Sequence, residues 1–213
     1  MKIRELAIAG AYEFTPDVHR DERGMFVAHY TEAAFREAVG YPMRLGQIHH
    51  SHSRRGTVRG VHYEDVPPGQ AKTVSCAAGA LLDAVVDLRV GSPTFGRWDS
   101  VLLDPHTCRA VYLEEGLGHA FVALEDDTVA AYVTSTEYDP ATEHEVHPLD
   151  PALGLPWPAG MEYLLSERDR DAPTLAEARD AGLLPTYDSC RALHPGLYPP
   201  GDRTPARHRG TPA

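Results

Sequence analysis

Short stretches of alternating apolar and polar residues dominate the first two thirds of the chain. Residues 80–89 (Ala-Leu-Leu-Asp-Ala-Val-Val-Asp-Leu-Arg) put Asp83, Asp87 and Arg89 on one side and Ala84, Val86 and Leu88 on the other. A period of two with β-branched content predicts a strand. A second short strand is predicted over 73–77, with Gly79 marking the turn between them. Segments 101–103, 110–113, 119–124 and 129–134 continue the series, separated by Gly91-Ser-Pro, Asp104-Pro, Glu114-Glu-Gly and Glu125-Asp-Asp. Many short strands at this spacing predict an antiparallel sandwich or barrel.

Helix signals are few. Residues 31–39 predict one or two helical turns, with Thr31 as N-cap and Gly40 as stop. The segment 174–182 carries a stronger signal: Pro173 precedes it, Thr174 and Glu177 form a Thr-x-x-Glu capping box, and Gly182 ends it. From Pro195 onward Pro, Gly, Arg and Thr leave little to bury, which predicts a disordered tail. The expected layout is one folded domain over 1–190 and a flexible tail over 191–213.

Composition narrows the class without naming the chemistry. The 213 residues, 42% hydrophobic and 24% charged, are those of a soluble globular chain with enough length for one full core. No run approaches a membrane span, and the opening Met-Lys-Ile-Arg-Glu-Leu-Ala-Ile-Ala-Gly is not a secretory signal. Cys76, Cys108 and Cys190 are odd in number and widely spaced, as expected of reduced thiols in a cytoplasmic protein. A formal net charge of −11 argues against a nucleic-acid partner but leaves room for a small anionic ligand held by a local arginine cluster.

Residues 59–72, Arg-Gly-Val-His-Tyr-Glu-Asp-Val-Pro-Pro-Gly-Gln-Ala-Lys, bring in the chemistry. The chain has two lysines, Lys2 at a terminus expected to fray and Lys72, against eighteen arginines. An isolated internal lysine suggests a place where a compact ammonium is needed. His62, ten residues earlier, is the side chain best suited to moving protons near neutral pH. A base and a point charge on neighbouring strands are parts for forming and stabilising an enolate.

Further motifs fall in a recognisable order: Arg23-Gly-Met-Phe26, Gln47, Arg59-Gly-Val-His62, Pro67-Pro-Gly-Gln-Ala-Lys72, 87–96 (Asp-Leu-Arg-Val-Gly-Ser-Pro-Thr-Phe-Gly), Gly118-His-Ala-Phe121, Tyr132, Tyr138, Asp150-Pro and Leu165-Ser-Glu-Arg-Asp169. From about residue 4 to about 187 this order resembles the dTDP-4-dehydrorhamnose 3,5-epimerase family. The resemblance implies an all-β, cupin-type jelly-roll barrel with a few short flanking helices. It also implies a substrate that is a dTDP-4-keto-6-deoxyhexose, epimerised at C3, C5 or both, with no cofactor and no metal. His62 matches the family's base, Asp169 the carboxylate that orients it, Lys72 a cation for the C4 oxyanion, and Tyr132 the proton donor on the opposite face. His119 resembles a residue that binds the sugar or polarises its ketone. Arg23, Arg59 and Arg168 match positions that hold the diphosphate or order the site. Tyr138 matches an aromatic stacked on thymine, and Glu143 another ligand contact. Phe26 belongs to a strand exchanged toward a partner subunit, so a homodimer with shared sites is implied.

Several positions depart from the family pattern. His49 stands where an Asn usually follows Gln47, and is kept as a substrate-contact position. Ala28 replaces a common acidic residue, Gly118-His-Ala replaces Ala-His-Gly, and 143–151 differ before Asp-Pro. These variants resemble the antibiotic-sugar branch. Two other readings compete: a metal-dependent cupin enzyme using His49, His50, His52, His62 and His119, and a non-catalytic nucleotide-sugar-binding jelly roll. His62 lacks the His-x-His partner that the first needs. The second would not require His62, Lys72, Tyr132 and Asp169 together.

Overall fold

The computed structural model describes residues 1–195. Strands build most of it: β1 (Lys2–Glu5), β2 (Ala11–Thr15), β3 (Val18–Asp21), β4 (Gly24–Val27), β5 (Gln47–Ser53), β6 (Val58–Glu64) and β7 (Lys72–Ala78). They continue with β8 (Leu81–Asp87), β9 (Trp98–Leu103), β10 (Ala110–Leu113), β11 (Leu117–Ala123), β12 (Thr128–Thr134) and β13 (Glu143–Glu145). The helices are short: α1 (Glu32–Val39), α2 (Glu167–Arg170), α3 (Leu175–Asp180) and α4 (Tyr187–Leu193).

Two antiparallel sheets form the expected jelly roll. One has the order β1-β2-β10-β7-β12-β5, the other β13-β6-β11-β8-β9, and β3-β4 make a separate two-stranded sheet. Alternation along each strand sorts side chains into layers. Val74, Val85, Val111, Leu113, Phe121, Ala130 and Tyr132 belong to one buried cluster, enclosed between the sheets. On the outer face of the second sheet Val61, Tyr63, Val86, Leu88 and Ala120 pack with Leu175, Ala178 and Leu184. On the outer face of the first, Phe14 and Tyr112 pack with Phe35 and Val39 of α1. β11 is buried along its whole length because both of its faces are covered.

The side of β8 that carries Asp83, Asp87 and Arg89 is buried too. Arg89 is 0% exposed. Its Nε and Nη2 donate to the two Asp87 oxygens at 2.9 and 3.1 Å, Nη1 pairs with Glu114, and Nη2 also donates to the Ala9 carbonyl at 2.9 Å. The Tyr187 ring lies 5.1 Å beneath the guanidinium, so one cation ties β8, the β10–β11 turn, the β1–β2 turn and α4. Burial by itself would raise the Asp87 carboxyl. Hydrogen bonds and charge from Arg89, with the Ser92 and Thr94 hydroxyls, outweigh it and hold Asp87 below the usual carboxylate range.

Other expectations need correction. Lys2 does not fray: it pairs with Thr15 in β1. Thr31 precedes α1 without a side-chain capping bond, whereas Gly40 ends it at φ +95° as predicted. The capping box at Thr174 and Glu177 is present in both directions. The tail boundary at 191 falls too early, because residues 191–193 complete α4, whose Cys190 is buried. The remainder of the expected tail, 196–213, lies outside the described residues.

Replacing Arg89 by Met would leave two carboxylates buried without their counter-charge. The expected loss is about 3–5 kcal/mol, read from the urea midpoint. In the unsubstituted protein the Asp87 contribution is fully present above about pH 5 and is lost progressively as pH falls through its lowered pKa. The difference in urea midpoint between the two proteins should therefore be smaller at pH 3 than at pH 7.

Candidate active site

The site begins with a register shift. His119 on β11 pairs with His62 on β6, and Phe121 pairs with Arg59. Two residues of β6, Gly60 and Val61, thus oppose Ala120 alone. This bulge turns both Arg59 and His62 into the space between the sheets, although their spacing of three would otherwise put them on opposite faces. Gly60 permits it: its φ is +112°, and a Cβ there would sit 2.3 Å from the His119 carbonyl oxygen.

His62 Nε2 lies 2.7 Å from Asp169 Oδ1. Asp169, 3% exposed, sits on α2, where Ser166 caps the helix by accepting from the Asp169 N–H. The same hydroxyl donates to Asp169 Oδ2 at 2.9 Å. Burial would raise the Asp169 carboxyl, but the hydrogen bond and charge of His62, with Ser166 and the Gly60 N–H, hold it below its usual range. An ionised carboxylate only accepts, so the His62 proton belongs on Nε2 and Nδ1 is left as the free base. A second pair stands beside the first: His119 Nε2 is 2.6 Å from Asp83 Oδ2, both buried.

The opposite sheet supplies the rest. Directly paired residues of an antiparallel ladder share a face, and Tyr132 pairs with His49 and Val74, while Thr134 pairs with Gln47 and Lys72. Tyr132 is 9% exposed, and its ring stacks on His49 at 4.8 Å and meets His119 edge-on at 6.0 Å. Burial pushes the Tyr132 phenol well above its ordinary value, so it holds its proton at neutral pH. Lys72 is 7% exposed. Desolvation lowers its pKa while Glu143 and Glu64 pull it back up.

The rim is built from β13 and the segments around it. Glu143 and Glu145 pair with Glu64 and His62 and share their face. Arg168 donates to Glu143 Oε2 at 2.8 Å, reaches Glu145 Oε2 at 2.5 Å and contacts the Tyr138 hydroxyl at 3.3 Å. Gln47 Oε1 accepts from the Tyr138 N–H at 2.8 Å. Arg59 donates to the Ser53 hydroxyl at 3.2 Å.

The chain belongs to the dTDP-4-dehydrorhamnose 3,5-epimerase family. The family's sequence profile matches residues 5–177. A dTDP-4-dehydrorhamnose 3-epimerase of Streptomyces niveus is 56% identical over 193 residues, covering 91% of this chain and 93% of that one. The crystal structure of NovW, a 4-keto-6-deoxy sugar epimerase from the novobiocin biosynthetic gene cluster of Streptomyces spheroides, is similar at a TM-score of 0.87. It is 57% identical, and the match covers 89% of this chain and 95% of NovW. ChmJ, a 3'-monoepimerase from Streptomyces bikiniensis solved with dTDP-quinovose, is 49% identical at a TM-score of 0.85, covering 88% and 94% of the two chains.

Among the residues that family resemblance singled out, the fold gathers Gln47, His49, Arg59, His62, Lys72, His119, Tyr132, Tyr138, Glu143, Arg168 and Asp169 around one interior. Arg23 and Phe26 are not among them. Phe26 is 69% exposed on the β3–β4 hairpin, and Arg23 pairs with its neighbour Asp21. Of the histidines of the metal reading, His49, His62 and His119 border that interior but are engaged with Tyr132, Asp169 and Asp83, while His52 faces Asp127. Sequence reasoning missed Glu64, Asp83, Ser166 and Glu145. The signals for two of them were present: Glu64 lies two residues beyond His62 on one strand, and Asp83 lies on the polar side of β8.

If Asp169 fixes the imidazole, nitrogen-15 NMR of the unsubstituted protein should show neutral His62 protonated at Nε2 alone. Asp169→Ala should give a mixture of both tautomers. An unchanged tautomer in the variant would remove Asp169 from that role.

Proposed function

We propose that the protein is a cofactor-independent epimerase acting on a dTDP-4-keto-6-deoxyhexose at C3, C5 or both, in the making of a deoxysugar for a secondary metabolite. One observation carries this reading: a His–Asp pair on one sheet and a buried, protonated tyrosine on the other look into the same interior, with a buried lysine on β7 beside the tyrosine's strand.

The chemistry follows from the ketone. It acidifies the hydrogens on the adjacent carbons, C3 and C5. His62 Nδ1 removes one as a proton, Asp169 stabilises the imidazolium, and the electron pair moves onto the C4 oxygen as an enolate. The Lys72 ammonium stabilises that oxyanion, in a site dry enough for a single charge to act strongly. Tyr132 then gives its proton to the carbon from the opposite face. The phenolate and imidazolium return to their resting states by exchange with solvent, and no electron is lost or gained. Arg59, at the inner edge of β6, offers its guanidinium to the diphosphate, and Tyr138 offers a face to the base.

Arg23 and Phe26 fit this reading in a homodimer. The hairpin that carries them exposes Met25 and Phe26 and stands apart from both sheets, as a segment reaching a partner's site would. Sedimentation at micromolar concentration should give a dimer. Mixing His62→Asn with Arg23→Ala protein should restore part of the activity that each lacks alone.

Incubation with a dTDP-4-keto-6-deoxyhexose in heavy water tests the reaction itself. Enzyme-dependent deuterium is expected at C3 or C5, and its absence from both carbons would end the epimerase reading. His62→Asn should abolish exchange at every carbon, by at least about 10²-fold, with little change in nucleotide affinity. Tyr132→Phe should weaken epimerisation more than exchange, because His62 still removes and returns a proton on one face.

A further inference from the structure

His49 has the geometry of a part that acts on Tyr132 rather than on the sugar. It is the direct cross-strand partner of Tyr132. The two rings are nearly parallel, 12° apart with centroids at 4.8 Å. β5 is the last strand of its sheet, so on this side His49 and, on the same face, Ser51 are what stand between Tyr132 and solvent. Its own outer side is exposed while Tyr132 is buried. On β12 the neighbours that share its face are Ala130, too small to fix a phenol ring, and Thr134, while Val74 meets it from β7. His119 touches it only edge-on, at 86°. The stack is therefore the aromatic face contact that restrains rotation of the ring from the solvent side.

The charge state of the stacked ring matters as well. Burial and the nearby Lys72 ammonium lower the His49 pKa, while Glu143 opposes them and His50 adds to them. A neutral imidazole stacks without bringing a cation to the phenol. A cation there would favour phenolate and weaken the hold of Tyr132 on its proton.

We propose that His49 is a positioning residue for Tyr132: stacked on the phenol, it aims the O–H at the sugar face opposite His62 and so sets the fraction of enolates that are inverted rather than returned. This rests on the reading of Tyr132 as proton donor. Each enolate has two fates. Reprotonation by His62 regenerates the starting configuration, and reprotonation by Tyr132 gives the epimer. A ring free to turn away loses the second outcome and keeps the first.

Heavy water separates the two fates: once the proton held on His62 has exchanged with solvent, a returned enolate appears as deuterated starting sugar, and an inverted one, protonated by solvent-equilibrated Tyr132, as deuterated epimer. In single-pass conditions, His49→Ala should lower the ratio of labelled epimer to labelled starting sugar about tenfold, the equivalent of ~1.4 kcal/mol. Total exchange should fall far less. His49→Phe restores an aromatic face of similar size without ring nitrogens, and should bring the ratio back to within about twofold of the original protein. An unchanged ratio in His49→Ala overturns the proposal. So does a His49→Phe protein that behaves like His49→Ala, since the imidazole nitrogens and not the stack would then be responsible. Tyr132→Phe measured alongside distinguishes the underlying failure: an unaltered ratio there removes Tyr132 as donor, and the role of His49 with it. His49 lies exposed on an edge strand, so both of its variants should fold, with urea midpoints close to that of the original protein.

Discussion

One extra residue in β6 decides what the interior of this barrel contains. Without the bulge opposite Ala120, Arg59 and His62 would lie on opposite faces, one among the outer apolar residues and the other alone inside. With it, both enter the same space, and Asp169 can reach His62 and the Gly60 N–H together. The glycine is the steric condition, because its neighbour across the ladder is a carbonyl oxygen at less than van der Waals distance from any side chain. The base, its orienting carboxylate and an anion-binding arginine all depend on that one local irregularity.

Burying so many polar groups between two sheets is tolerated because most of them are satisfied in pairs. His62 has Asp169, His119 has Asp83, and Arg168 has Glu143 and Glu145. Lys72 differs: among the described residues it forms no salt bridge, and it feels Glu64 and Glu143 only through the field. A buried ammonium in this state gains from any negative charge that arrives beside it, which favours an enolate over the neutral ketone that precedes it. Glu64, 6% exposed and with Oε1 lacking a hydrogen-bond partner, is the complementary incomplete group.

Much of the fold was legible in the sequence because its strands are marked by local signals. The period of two over residues 80–89, the glycine and proline punctuation, and the Thr174 capping box needed no tertiary information. The polar side of β8 was read correctly as one face, but its burial was not, since Asp83 and Arg89 find their partners on β11 and in the β10–β11 turn. Register was equally hidden, because a bulge appears only when two strands are laid together. The site residues came from their order along the chain and not from any periodicity. That is why Glu64 and Ser166, although they lie inside the segments 59–72 and 165–169, were passed over, and why Arg23 and Phe26 were grouped with residues that a single subunit does not bring them near.

Arg89 imposes an order on the birth of the molecule. Its Ala9 contact is already synthesised when it emerges, and Asp87 is beside it at once. Glu114 follows after one more hairpin, but the Tyr187 ring that closes its remaining side lies on the last described helix. Until that helix leaves the ribosome, the face of the guanidinium that the Tyr187 ring covers stays open to water, although every strand of the inner cluster is already made. In a chain built this way the buried cation is sealed by the last helix, after the strands it ties together have been made.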